Sequence, residues 1–459
     1  MVEENKDLEA MLGTPKKAIM HMAVPLFFSL LVTTLQSFID GIWCSGLGPD
    51  PLSAIAISGP VHGIIVSTGA AMGVGASAAI ARALGASDKD MADRLASQAI
   101  VMTVLLSLIA MPIVYLAAEP IISVSGGGYN IDISMEYVTP YIICAVPLMF
   151  NGLVLGLIRS EGAAKKSTLL AITTSVLNMV LDPIMIYTLD LGVMGAAWAT
   201  CISFIATSFI AVYWYLSKKM HVIPRFHGFR FDKPLLRDIS IITIPVAVEM
   251  IVMNLLIAPE QSFVAECGGS DGLVVYINAF RYVSLVMIPA NAIGSALIPV
   301  VSAQIGQKAH DKVWGSFIFA IKVVFFIEMV MGLILFIFAD FWIDLYTYSG
   351  EMAHLHEEMV LALRIYSVVP IFNGLMRIGT SMLQSLRKAV MSTILMFVRE
   401  LLFLSFYWIA SKISMTSIYW SLDLTNLIAM GAILILAYYM VRLFSIQCKE
   451  KDIYSSGSK

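Results

Sequence analysis

Twelve stretches of mostly apolar residues, each more than twenty residues long or close to it, constrain this chain more than any other feature. They fall at 18–42, 52–80, 95–118, 134–158, 167–188, 193–216, 239–264, 273–301, 313–338, 358–386, 390–410 and 416–444. About 20 apolar residues of helix cross a bilayer core. Each stretch exceeds strand length and lacks the alternation of a membrane barrel, so each predicts a helix. Only 13% of the 459 residues are charged, about half the share usual in soluble domains. That is too little to cover a water-facing surface, which excludes a soluble globular protein, a disordered chain and a coiled coil. The reading is an all-α integral membrane protein of 12 transmembrane helices. Single prolines inside the spans (Pro25, Pro112, Pro147, Pro245, Pro289, Pro370) predict kinks.

Of the 29 Lys and Arg, 22 lie on the side shared by both termini, and the opposite loops carry only Lys412. The positive-inside rule therefore expects both termini in the cytoplasm and the chain in the cell membrane. No signal peptide is visible ahead of the first span. A formal net charge of −3 argues against a nucleic-acid partner. The five cysteines (Cys44, Cys144, Cys201, Cys267, Cys448) are scattered and contain no CxxC, which predicts packing thiols and neither a disulfide framework nor a zinc site.

Two halves of the chain match at an offset near 220. Pro25 falls on Pro245, Asp40 on Glu260, Gly85 on Gly306, and "VPLMFNG" (146–152) resembles "VPIFNG" (369–374). Six spans per half is an even number, so both halves enter from the same side as pseudo-symmetric parallel repeats. The expected division is a six-helix lobe at 1–217, a basic and aromatic linker at 218–238, and a second six-helix lobe with a short tail at 239–459. The linker suits either an anionic lipid surface or plain solvent. A two-lobed repeat favours a substrate site that opens alternately to each side. No Walker-type phosphate loop is present, so a secondary transporter leads over an ATP-driven one.

A charge inside an apolar span is costly and needs a reason. The acids singled out are Asp40, Asp182, Glu249, Glu260, Glu328 and Glu400; the bases are Arg281, Lys322, Arg364, Arg377, Arg399 and Arg442. Lys322, Arg364, Arg442 and Glu328 suit pairing or snorkelling at span ends. Asp40 and Asp182 stand apart. Thr33, Gln36 and Asp40 share one helical face on the first span, as do Ser175, Asn178 and Asp182 on the fifth, where Pro183 loosens the backbone. Both acids lie in the outer half of their spans, and spans one to six contain no base to neutralise them. Two carboxyls in one dry pocket can hold a proton; a sodium ion would serve equally, with Asn178 and a hydroxyl adding oxygens. Either ion would compete with a bulky organic cation, which makes an antiporter from one site. In the second half, Glu249 and Glu260 share a face about 16 Å apart, and Arg281 on the following span is placed to neutralise Glu260. Arg399 and Glu400 are sequence neighbours and are expected to point apart.

These residues carry a resemblance to the multidrug and toxic compound extrusion (MATE) family. The matching elements are Pro25 and Asp40 followed by "GLG" (46–48), "GASAAIARALGASD" (75–88), "RSEGAAKKS" (159–167), "NMVLDP" (178–183) and "LGVMGAAWAT" (191–200). The resemblance implies a V-shaped pair of six-helix bundles that export cationic amphipathic compounds in exchange for H⁺ or Na⁺, with no cofactor, acting as a monomer. In the branch with an Asp pair in the first lobe, it places ion binding at Asp40, Asn178, Asp182 and Thr200. Another branch uses a second-lobe Glu, matched by Glu260, with an Asp on the tenth span that this chain lacks.

Two rival readings remain. A flippase for lipid-linked precursors has a related bilobal fold but should favour a cationic cavity. A prenyltransferase-like membrane enzyme is suggested by "SDKDMAD" (87–93), which lacks a second such motif. "HLHEE" (354–358) has metal-ligand residue types, though a solvated loop explains it. "GAAMG" (69–73) reads as close helix packing.

Overall fold

Proline at first turns and glycine at last turns punctuate the chain, as expected where a missing N–H is free of cost and a missing Cβ eases the exit. The structure, a computed structural model, describes residues 2–125, 131–347 and 353–456. Its elements are α1 (Val2–Leu12), α2 (Pro15–Ser45), α3 (Pro49–Gly85), α4 (Lys89–Val124), α5 (Ile131–Ile143), α6 (Ala145–Ser160), α7 (Ala164–Pro183) and α8 (Gly192–Leu216). They continue with α9 (Lys233–Val286), α10 (Ile288–Gly306), α11 (His310–Ile337), α12 (Ala339–Thr347), α13 (His356–Tyr366), α14 (Val369–Ser385), α15 (Ala389–Ser411) and α16 (Met415–Ser456). No strand occurs among the described residues. Eleven helices there are long and apolar enough to cross a membrane, and α5 with α6, bent by 58°, make a twelfth.

Three of the predicted kinks are breaks. Helix stops at Cys144, at Met287 and at 367–368, two or three residues ahead of Pro147, Pro289 and Pro370, because proline cannot donate to the carbonyl four residues back. Pro25 and Pro112 lie inside unbroken helices. The sharpest turn in α9 is at Gly269, whose φ of 62° and ψ of −154° suit glycine.

The chain forms two compact units, Met1–Leu255 with Ile298–Lys308, and Leu256–Leu297 with Ala309–Lys459. In the first, α3 lies on α6 along a glycine seam. A Cβ on Gly69 would come within 2.6 Å of Met149 Cα, and one on Gly73 within 3.5 Å of Gly156 Cα. The "GAAMG" motif is therefore a packing element that brings two backbones together. Around it Val61, Ile65, Tyr141, Leu148 and Met149 form a buried apolar cluster.

Residues 219–232 are tied through their backbone to the start of α4 and the end of α6, while Phe226 and Phe231 stay exposed. Buried Asp93 accepts the Ile223 N–H (2.9 Å) and pairs with Lys89 and Arg225. Ser97 accepts the Arg225 N–H, Glu161 accepts the Val222 N–H, and Gln98 donates to the Arg230 carbonyl. Met220 and Val222 are buried. The physical reason is that the polar residues opening α4 satisfy the segment's backbone groups, a pairing between side chain and main chain that composition does not display.

The second unit is centred on Val264, Tyr276, Tyr366, Tyr407 and Tyr419. Glu328 does not snorkel. It is 0% exposed and accepts the Ala290 N–H (3.1 Å) in the first turn of α10. The break ahead of Pro289 exposes helix N–H groups, and the carboxylate meets the positive end of that helix. Arg364 pairs with Asp340 at 2.7 Å.

Candidate functional site

The first unit encloses a cavity of about 530 Å³, walled by α2, α3, α5, α6, α7 and α8. Thr33, Gln36 and Asp40 reach it from α2, Ser175 and Asp182 from α7, and Thr200 from α8. Spacings of three and four residues along α2, and of seven along α7, put each set on one side of its helix. After Asp182, Pro183 leads into a wider π-helical turn at Ile184–Thr188, a local form that is often found at functional sites.

Asn178 ties the acids together. Its Nδ2 donates to Asp182 Oδ1 (3.1 Å) and to Thr200 Oγ1 (3.2 Å), and its Oδ1 accepts from Gln36 Nε2. Gln36 Nε2 also donates to Asp40 Oδ2 at 3.3 Å. Gln36 and Asn178 thereby join the two carboxyls of α2 and α7 in one hydrogen-bonded chain. Asp182 is 1% exposed, and Asp40 Oδ1 is buried without a donor among the described residues. Two carboxylates in one buried network repel each other when both are ionised, so the arrangement favours a proton or a cation at the pair. The set of carboxylates, amide and hydroxyl is a hard-oxygen environment that suits either. With the Asn178 oxygen held by Gln36, a metal cation would meet the carboxylates and the Thr200 hydroxyl first.

The same cavity has an aromatic side. Tyr141 donates to Tyr137 (3.0 Å) and reaches Thr200 (3.4 Å), and the His62 ring lies 4.3 Å from that of Tyr141. Arg159, just past the end of the predicted fourth span, also lines the wall; the cavity therefore contains a base that the span limits left out. Its Nε donates to the Leu155 carbonyl.

In the second unit, Glu260 accepts from Tyr276 OH and lies near Arg399 and Glu400. Arg281 is exposed, so the base beside Glu260 is Arg399 instead. Arg399 pairs with Glu400 although the two are adjacent, because the long guanidinium arm folds back along the helix. It also donates twice to Asn426 Oδ1, at 3.1 and 3.0 Å. Glu249 is buried and belongs to the first unit, whereas Glu260 belongs to the second.

The MatE family pattern matches residues 25–184 and 245–409, well over half the chain. The chain is a MATE-family transporter. Among its relatives is the multidrug export protein MepA of Staphylococcus aureus, 25% identical over 433 residues that cover 93% of this chain and 94% of MepA. Among solved structures it resembles MATE in complex with MaL6, with a TM-score of 0.90 at 29% identity, covering 97% and 99% of the two chains. A MOP superfamily transporter from Pyrococcus furiosus, whose binding pocket is described as reversed in polarity, matches with a TM-score of 0.90 at 28% identity, covering 96% and 98%.

The MATE assignment removes the enzyme reading, and of the acids of 87–93, Asp88 caps α4 while Asp90 and Asp93 hold the segment at 219–232. His354 and His356 each face a carboxylate, Asp271 and Asp344, and no metal-binding cluster occurs among the described residues. One acid escaped the sequence reading of this transporter. Asp423 lies inside the last apolar span, is 6% exposed, and neither of its carboxylate oxygens has a donor among the described residues. Its signal, a single acid among apolar neighbours, was the same one that marked Asp182. His62 and Tyr141 gave no such signal, since aromatic residues are unremarkable in an apolar span.

Proposed function

We propose that this transporter is a secondary active multidrug efflux antiporter of the cell membrane. It exports cationic amphipathic compounds by alternating access, in exchange for H⁺ or Na⁺, as a monomer with both termini in the cytoplasm and one lobe from each repeat. The observation that carries the reading is the chain of hydrogen bonds through Gln36 and Asn178 that joins Asp40 to Asp182 in the wall of a cavity of about 530 Å³. A pocket of that size suits a drug-sized ligand, and a carboxyl pair exchanges a small cation for an organic one at the same place. Asn178, Gln36 and Thr200 orient the pair, Thr33 and Ser175 extend the polar wall, and His62, Tyr137 and Tyr141 offer ring faces to a cationic aromatic guest. Glu260 with Tyr276 and Arg399 serves the second unit's packing.

Purified protein in proteoliposomes tests this. Ethidium or norfloxacin added on one side should evoke an opposing ion flux, with Na⁺ and pH gradients imposed separately to separate the two ions. Asp40→Asn and Asp182→Asn should each reduce coupled transport to background while the protein stays monodisperse. Normal drug export by either variant in a pump-deficient host would sink the reading.

A further inference from the structure

We infer that the segment between α8 and α9 is a lipid anchor: Phe226 and Phe231 insert into an anionic headgroup layer at one membrane face, and the Lys and Arg around them hold its phosphates. By composition alone 218–238 suits lipid or solvent equally. What decides is how the segment is pinned and what the pins leave outside. Every residue involved belongs to the first unit.

Helix ends fix the height of the segment. It leaves α8 just after Tyr213, Trp214 and Tyr215, an aromatic run of the kind that marks the boundary between apolar core and headgroups. It enters α9 at Lys233. Between these points its backbone is held by Asp93, Ser97 and Gln98 in the opening turns of α4 and by Glu161 at the end of α6. Lys166, in the first turn of α7, donates to the Lys219 carbonyl at 2.6 Å. The ends of α4, α6, α7, α8 and α9 thus keep the segment at the level where headgroups lie.

The same pins decide which side chains stay out. Met220 and Val222 are buried, while Phe226 is 53% and Phe231 58% exposed. The Phe229 N–H donates to the Phe226 carbonyl (3.1 Å) in a tight turn whose Gly228 has a φ of 71°, a conformation that favours glycine. Phe229 meets Phe231 edge to face, with ring centroids 5.3 Å apart. Two rings held more than half exposed on a pinned backbone are costly in water. At a membrane interface the same rings settle favourably.

The charges around the rings name the surface. Six Lys and Arg against two acids lie between Lys218 and Asp238. Arg225 is engaged with Asp90 and Asp93, but Lys218, Lys219, Arg230, Lys233 and Arg237 are exposed. The Lys219 ammonium lies over the Tyr213 ring, 4.9 Å from its centroid, at the aromatic boundary itself. Clusters of about four to eight bases just outside a span bind anionic lipid. A soluble polyanion would satisfy the bases and leave the rings in water. An anionic leaflet satisfies both, since it offers phosphates above and apolar chains beneath.

The test uses the full chain in nanodiscs. Cys267→Ser and Cys448→Ser remove the partly exposed thiols, and His227→Cys, at the exposed tip beside Phe226, carries a nitroxide. Discs of phosphatidylcholine alone are compared with discs of equal parts phosphatidylcholine and phosphatidylglycerol. Collisions with oxygen, which concentrates in lipid, are measured against collisions with a neutral nickel chelate, which stays in water. In the anionic discs oxygen collisions should increase and the oxygen-to-nickel ratio should rise at least about threefold. Phe226→Ser combined with Phe231→Ser should return the ratio to its phosphatidylcholine value, and elution as one monodisperse species should show that variant folded. Equal ratios in the two discs overturn the anchor, and so does a rise that survives loss of both rings. A loss of nickel collisions with no gain in oxygen would mean that protein covers the tip, and overturns it too. Soluble polyphosphate added to phosphatidylcholine discs should leave the ratio unchanged; a rise there would overturn the lipid assignment. No drug moves in any of these measurements, so failure of the efflux reading would leave the anchor standing.

Discussion

Glu328 shows how a single residue in an apolar span acquires its reason. A charge there invites a functional reading, yet its carboxylate meets the Ala290 N–H at the start of α10 and Gly374 packs on its stem. Glu328→Gln keeps an oxygen for that N–H and should fold and transport as the parent does. Glu328→Leu leaves a buried N–H unpaired, at a cost of about 1–3 kcal/mol, and should lower the thermal midpoint in detergent. If Glu328→Gln abolished transport without loss of stability, the residue would be titrating during the cycle and the capping account would fail. Asp40 and Asp182 were legible because an acid against a background with no nearby base is a high-contrast signal. Thr200 was not legible from its residue type: a threonine in a helix satisfies itself on the carbonyl four residues back, as Thr200 does on Ala196 at 3.2 Å, and so stands in a span at little cost. Only its match to a family motif singled it out.

Among the elements, the helices themselves were legible from length and apolarity, and their breaks from proline. The segment at 219–232 was not, because what fixes it is the pairing of its backbone with Asp93, Ser97, Gln98 and Glu161, and backbone groups are invisible in composition. Asp93→Ala removes the acceptor for the Ile223 N–H and the partner of Lys89 and Arg225 together. The segment should then leave its groove, and limited trypsin digestion at Lys218, Lys219, Arg225 or Arg230 should accelerate by about tenfold or more, for a loss of about 1–3 kcal/mol of local stability. Cleavage at the parent's rate would mean that the remaining side chains hold the segment without Asp93. The pairing of Arg399 with Glu400 was missed for a related reason: adjacency on a helix separates Cβ directions, but not the tips of side chains as long as arginine.

For the whole molecule, the scarcity of charge marks the membrane spans, and the placement of the charges that remain supports the proposed orientation. Twenty-two of the 29 Lys and Arg fall on one side of the predicted spans, an asymmetry far beyond what helix packing requires. Translocating a short loop that carries several bases is unfavourable, so the basic loops remain where they are synthesised. The structure adds that several of these bases have partners on that side, Arg94 on Asp232 and Arg225 on Asp90 among them. Such pairs form only if both loops stay in the same compartment. Epitope tags at the two ends of the chain should therefore be reached by antibody only after the cells are permeabilised, while a tag placed after Lys412, the only base of the opposite loops, should be reached on intact cells. Surface staining of either terminus on intact cells would reverse the orientation.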